Sequence, residues 1–298
     1  MTHAVNLDAV GRTALVTAAM RAAETSRPDA IHRDPYAAAL AGDLGRQLLA
    51  ELLAAVSEAG PSGARTGRTP GATAAGSGRR AVNAIRTRFF DDYLRAAVTE
   101  AGLRQVVVAG AGMDSRAYRM QWPDGVRYFE VDRPPVLDYK RECLAAESPR
   151  ADHRWVPVDL AEPSWPEALA DAGFDPALPS TWLLEGLLFY LPESAVHRVL
   201  GQIAESAAPG SRIAADLVNA AALTMPAQRA LLEVFASWGC PWLFGCDEPE
   251  ELFARHGFAA DVVQPGEPGA DFGRWPDPVP PRDLPDLYRV FLVSGRRH

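Results

Sequence analysis

The positions in this chain best suited to chemistry are a glycine turn and two acids, spaced as a cradle for an adenosyl ligand. The run VVVAGAGMD places Gly110, Ala111 and Gly112 directly after the strand-forming Val106, Val107 and Val108. An unbroken apolar run of this length suits a strand buried on both faces. Glycines at its end permit a turn in which ligand atoms approach bare backbone. Asp132 closes the next apolar run, FEVD, about 20 residues later, an interval shared by dinucleotide- and S-adenosylmethionine-binding folds. An acid at that strand end reaches ribose hydroxyls. Asp159 closes a third run, VPVDL, where a carboxylate can accept from an adenine amino group while Leu160 packs on the ring. Singly, each acid reads as a strand-end or capping residue. Two at successive strand ends beside GAG favour ligand contact.

The elements that must position these residues follow from periodicity. Helices are expected at 12–24, from Pro35 to about Ala59 with Asp34 as cap, and at 81–101. Between the last two, GPSGARTGRTPGATAAGSGRR (60–80) is poor in apolar bulk and reads as a mobile loop. From 105 onward the pattern alternates, with strands at 105–109, 126–131, 153–158, 181–185 and 211–216 and helices at 133–146, 164–171 and 192–207. Such interleaving implies a parallel sheet with right-handed crossovers. A helical, aromatic insertion at 219–244 precedes a helix at 249–256, a strand at 258–263, a Pro- and Gly-rich loop at 264–286 and a closing strand at 288–294. That tail suits a seven-stranded methyltransferase sheet better than a NAD-binding one. The expected organisation is one α/β domain over 1–298. It has a helical cap at 1–103, a Rossmann-like core at 104–218 and 245–298, and a lid at 219–244.

The net charge of −8 over 298 residues argues against wholesale binding to nucleic acid or an anionic membrane. No apolar run is long enough for a membrane span, and the first residues lack a secretory pattern, so a cytoplasmic protein is expected. Cys143, Cys240 and Cys246 show neither CxxC spacing nor an even count, which argues against a disulfide framework and against a zinc site. Cys240 and Cys246 could pair if oxidised; free thiols are the expectation, and no metal is expected.

The segments RTRFFDDYL, VVVAGAGMDSRAYRM, FEVDRPPVL, VPVDL and WLLEGLLFYLP, in that order, resemble the leucine carboxyl methyltransferase family. The likeness is to its bacterial branch of S-adenosylmethionine-dependent O-methyltransferases of polyketide and other secondary metabolism, antibiotic biosynthesis included. It implies a class I methyltransferase fold, S-adenosyl-L-methionine as methyl donor and S-adenosyl-L-homocysteine as product. By that resemblance Arg86 holds the methionyl carboxylate, for which a bidentate guanidinium is suited, and Arg21 is a looser second ligand. Gly110, Ala111 and Gly112 border the ligand, Asp132 holds the ribose, Asp159 and Leu160 hold the adenine, and Glu185 closes strand four near the sulfonium. Arg88 rivals Arg86, and the two face different ways on their helix.

Methyl transfer from a sulfonium is an in-line displacement in which positioning can carry most of the rate. A carboxylate acceptor needs no base, whereas a hydroxyl benefits from one. His153, His197 and His256 read as surface or capping residues. Tyr190, after strand four, is the candidate catalytic residue, with core packing as the equal alternative. Met225, Phe235, Trp238, Trp242 and Phe244 of the insertion could line an acceptor pocket or simply pack the roof. The acceptor is expected to be a small molecule bearing a hydroxyl or carboxyl group. A NAD-dependent oxidoreductase is disfavoured because Ser115 stands where GxGxxG needs its third glycine. A protein carboxyl methyltransferase and a non-catalytic S-adenosylmethionine-binding module remain as alternatives. Oligomeric state is not legible.

Overall fold

The computed structural model of the chain describes residues 7–58, 74–275 and 278–298. Three helices come first: α1 (Ala9–Thr25), α2 (Ala37–Glu58, kinked at Gly42) and α3 (Ala74–Thr99). Asp8 caps α1, its carboxylate accepting from the Gly11 N–H at 2.9 Å. Then strands and helices alternate: β1 (Gln105–Ala109), the single turn α4 (Arg116–Arg119), β2 (Arg127–Asp132), α5 (Pro134–Cys143), β3 (Asp152–Pro157), α6 (Trp165–Asp171), β4 (Thr181–Leu184), α7 (Glu193–Ser206) and β5 (Arg212–Val218). The chain closes with α8 (Arg229–Ser237), α9 (Pro249–Arg255), β6 (Phe258–Val263) and β7 (Val290–Arg297).

The seven strands lie in the order β3-β2-β1-β4-β5-β7-β6. The five strands β1–β5 pair in parallel, while β7 inserts antiparallel between β5 and β6. This is the seven-stranded α/β sheet expected from the pattern. All of β1 is buried, and its side chains divide by the period of two. Val106 and Val108 pack with Ile85, Phe90 and Leu94 of α3, whereas Val107 and Ala109 pack with Trp165 of α6 and Val199 and Ile203 of α7. Each such buried aliphatic contributes about 1.5–3 kcal/mol. The opposing helix α7 buries Val196, Val199, Leu200 and Ile203, the i, i+3, i+4, i+7 stripe of an amphipathic helix.

Beyond shifts of up to three residues at element ends, three features stand out. α3 starts at Ala74, not 81, while 60–73 of the expected mobile loop lie outside the described residues. The segment after the glycine turn, for which no helix is expected above, forms the single turn α4, kept short because Pro123 and the return to β2 follow closely. The 219–244 insertion holds two short 3-10 turns and only nine residues of α-helix. Among the described residues no helix is long and apolar enough to cross a membrane.

Candidate functional site

The carboxyl ends of β1, β2, β4 and β5 open into a cavity of about 2100 Å³ that continues under α1 and the 219–244 lid. Its floor is the turn after β1. Gly110 and Ala111 donate their N–H groups to the Val131 carbonyl at 2.9 and 3.1 Å, fastening the turn to β2. Gly110 and Gly112 have φ of 71° and 47°. A Cβ would stand 3.0 Å from Leu187 Cδ1 at Gly110 and 3.0 Å from Ala14 Cβ at Gly112. Both conformation and space therefore require glycine.

Asp132, closing β2, accepts from the Gly112 N–H through Oδ2 and from the Arg133 N–H through Oδ1, each at 2.7 Å. Burial pushes its carboxyl up to about 6 against those two hydrogen bonds. Each oxygen retains a further lone pair for a donor in the cavity it lines. Asp159 lies two residues past β3 and accepts from the Ala161 N–H at 2.8 Å, holding the turn that presents Val158 and Leu160 to the cleft. The turn and both acids thus come together along one trough.

At the other end of that trough, arginines and carboxylates interlock. Arg86 donates from Nη1 to Asp216 Oδ2 at 2.7 Å, and its Nε lies 3.1 Å from Glu185 Oε1. Glu185 Oε2 faces Arg116 Nη1 at 2.8 Å, and Arg116 also pairs with Asp91 at 2.7 Å and with Asp114. Arg119 completes the network on Asp91. Burial opposes ionisation of Glu185, yet Arg116 and Arg86 hold its carboxyl below the usual range. Burial also raises Asp216, against the pull of Arg86. Arg21 lines the cavity, bound to Asp34 at 2.9 Å and to the Met113 carbonyl of the glycine turn. Arg88, on α3 with Arg86, is turned away and paired with Asp92 at 2.7 Å.

Tyr190 follows β4 in a short 3-10 turn and lines the cavity, its ring 4.7 Å from Phe189. Burial raises its phenol pKa, against Thr13 and Trp242, so at neutral pH it is a hydrogen-bond donor rather than a base. Of the lid residues Met225, Phe235 and Trp242 line the cavity, whereas Phe244 joins the core on the sheet and Trp238 reaches Glu51. His153, His197 and His256 are not among the lining residues. Among the described residues no group of three His, Cys, Asp or Glu could hold a metal ion, and all three cysteines are free.

Sequence reasoning missed Asp216, Asp114 and Arg116. An acid inside the apolar strand IAADLV, and DSR directly after the turn, were the available signals. It also treated 264–286 as a plain loop, whereas Trp275, Val279 and Leu284 of that stretch line one wall of the cavity.

Comparison with known proteins follows the same lines. A sequence profile described as leucine carboxyl methyltransferase matches residues 14–204, nearly two-thirds of the chain. A solved structure of a candidate methyltransferase from Thermobifida fusca aligns with a TM-score of 0.58 at 22% identity, covering 88% of this chain and 92% of that one. A DUF574-family protein from Streptomyces avermitilis aligns with a TM-score of 0.54 at 15% identity, covering 83% and 97%. At these identities the structural likeness is one of fold.

Proposed function

Because the chain belongs to the leucine carboxyl methyltransferase family, and so is an S-adenosylmethionine-dependent methyltransferase, we propose that it methylates an oxygen of a small molecule. The trough fits the cofactor. Gly110 and Gly112 let Leu187 and Ala14 close on the turn while its backbone lines the cavity, and the Asp132 carboxylate, with no ion-pair partner among the described residues, suits two ribose hydroxyls. When bound, the cofactor supplies a methyl group on a sulfonium. Asp159 and Leu160 would hold the adenine, Arg86 the methionyl carboxylate, and Arg21 would steady the same end through the Met113 carbonyl. Glu185 and Asp216 orient Arg86 by gripping it from two sides.

What carries the small-molecule reading is the cavity's extension past this trough, beneath the lid residues Met225, Phe235 and Trp242. A protein chain end would need an open approach, whereas a roofed chamber suits a free ligand. Oxygen is favoured by the family resemblance. Tyr190 would donate a hydrogen bond that orients the acceptor oxygen toward the sulfonium.

The test is turnover with isotopically labelled S-adenosylmethionine over a panel of hydroxyl and carboxyl compounds, with the methyl position read by NMR. Product methylated on nitrogen or carbon overturns the reading, and methylation only of a protein carboxyl terminus favours the alternative. Tyr190→Phe should lower kcat by about tenfold, the loss of one hydrogen bond worth roughly 1.4 kcal/mol, with product affinity unchanged. An unchanged kcat would leave Tyr190 as packing.

The two arginines of α3 give a separate expectation. Arg86→Ala should weaken S-adenosylhomocysteine binding by at least about tenfold, because a charge-assisted contact of roughly 1.5–3 kcal/mol is lost. Arg88→Ala, on the far side and exposed, should change it less than about twofold. Calorimetry on both variants decides, and the reverse order would move the carboxylate site.

A further inference from the structure

We propose that the methyl acceptor is an uncharged, predominantly apolar molecule, at least as large as the cofactor, and that the chamber rejects an otherwise similar anion. This rests on the methyl-transfer reading of the cleft and names the class of molecule that shares it with the cofactor. A cleft for one small ligand measures about 300–1,000 Å³; this one measures about 2100 Å³. The volume accommodates two ligands of comparable size.

The walls beyond the trough come from α2, from the lid and from the strap 264–289 between β6 and β7. On α2 the lining residues Leu49, Leu52, Leu53 and Val56 form an i, i+3, i+4, i+7 stripe. The lid adds Leu231 and Phe235, one helical turn apart, and the strap adds Trp275 and Val279. Among the described lining residues from these three elements, none carries a charge.

The described cations near these walls already face acceptors, Arg27 and Arg133 of the lining through Asp29 and Asp8. Arg289 anchors the strap by donating to the carbonyls of Pro280, Pro281 and Leu284 at 3.1, 2.6 and 2.9 Å. Arg274 ties the strap to the end of α1 through Glu24 and Asp29 at 2.6 and 2.7 Å. At the reacting end Arg21, Arg86 and Arg116 each face a carboxylate, and the cofactor's methionyl carboxylate would take the donor capacity Arg86 has left. An anionic acceptor would leave water for an uncharged apolar wall and, although the cofactor's sulfonium would attract its reacting end, would meet Glu185 and Asp216 there as like charges. An apolar body with a neutral hydroxyl carries no such penalty and gains by burial. The mouth has the same character. Leu53 and Leu284 line the cavity while remaining 38% and 48% exposed, so a long acceptor can emerge across an apolar rim.

The experiment uses the full chain, with and without saturating S-adenosylhomocysteine, and the neutral fluorophore N-phenyl-1-naphthylamine. Displacement by 1-decanol is compared with displacement by decanoate at about pH 8, where the acid is ionised. Decanol should displace the probe at a concentration at least about tenfold lower than decanoate. Leu231→Asp should weaken probe binding by about tenfold or more with S-adenosylhomocysteine affinity unchanged. Leu53→Asp, at a position 38% exposed where a carboxylate keeps its water, should act in the same direction. Equal displacement by the two ten-carbon compounds, or probe binding indifferent to both substitutions, overturns the proposal. Loss of S-adenosylhomocysteine binding with the neutral preference intact counts instead against the methyl-transfer reading.

Discussion

Arg116→Leu should lower the unfolding free energy by about 3–5 kcal/mol, the usual cost of removing one partner from a buried ion-pair network. The Arg116 side chain is 3% exposed and contacts Asp91, Asp114 and Glu185, so its loss leaves buried Asp114 without its arginine and removes one of two arginines from Asp91 and Glu185. Against a total stability of about 5–15 kcal/mol for a typical domain, the effect is large. Arg154→Leu, which breaks an exposed pair with Asp152, should cost less than about 1 kcal/mol. The difference should depend on pH with a definite sign. Although burial opposes their ionisation, Asp91, Asp114 and Glu185 all have carboxyl pKa values held down by their arginines. Their contribution is therefore present above the unfolded carboxyl range near pH 4 and is lost as pH falls through the depressed values. Urea unfolding of both variants at neutral pH and in mild acid measures this. A neutral-pH loss no larger than that of Arg154→Leu would mean the network contributes nothing net.

Asp132→Ala should weaken S-adenosylmethionine and S-adenosylhomocysteine binding by about 1.5–3 kcal/mol, or roughly 10–150-fold, with the fold intact. Asp138→Ala, an exposed position on α5, should leave affinity unchanged. The wild-type affinity carries its own signature. At the proposed ribose contact the hydroxyls would donate to the ionised carboxylate, whose pKa burial raises to about 6. Affinity should be level above pH 7, fall as pH drops through about 6, and show no such fall in the variant. Stability moves the other way: a folded pKa above the unfolded value makes Asp132 a burden on the cofactor-free fold above pH 6, relieved as pH falls toward 4. Calorimetric titration across pH 5–8 distinguishes the two. Equal effects of Asp132→Ala and Asp138→Ala would remove Asp132 from the ribose site.

The strands were legible because β-branched and aromatic runs bounded by glycine and proline have one good structural use, a buried sheet. VVVA, RYFEV, TWLL and RIAADLV all formed strands within a residue or two of their expected limits. The start of α3 was less legible. Gly76 and Gly78 each disfavour helix by about 1 kcal/mol, yet propagation from the packed segment beyond Ala81 carries the backbone helix back to Ala74. Arg86 and Arg88 illustrate a different gap. Composition treats them alike, and only the placement of α3 over β4 and β5 turns one toward Asp216 and the other toward Asp92.

The sequence by itself determined the α/β alternation, the glycine turn and the acids at the ends of strands two and three, because these are local consequences of backbone freedom and side-chain period. Tertiary structure alone decided what surrounds them. It closed the Arg86–Glu185–Arg116 chain, whose members lie far apart in sequence. It made the 264–289 strap a wall instead of a plain loop, through Arg289 bonds to its carbonyls. It also left the chamber between α2, lid and strap lined without charge among the described residues. Ion pairing and enclosure depend on distances between elements, which no periodicity encodes.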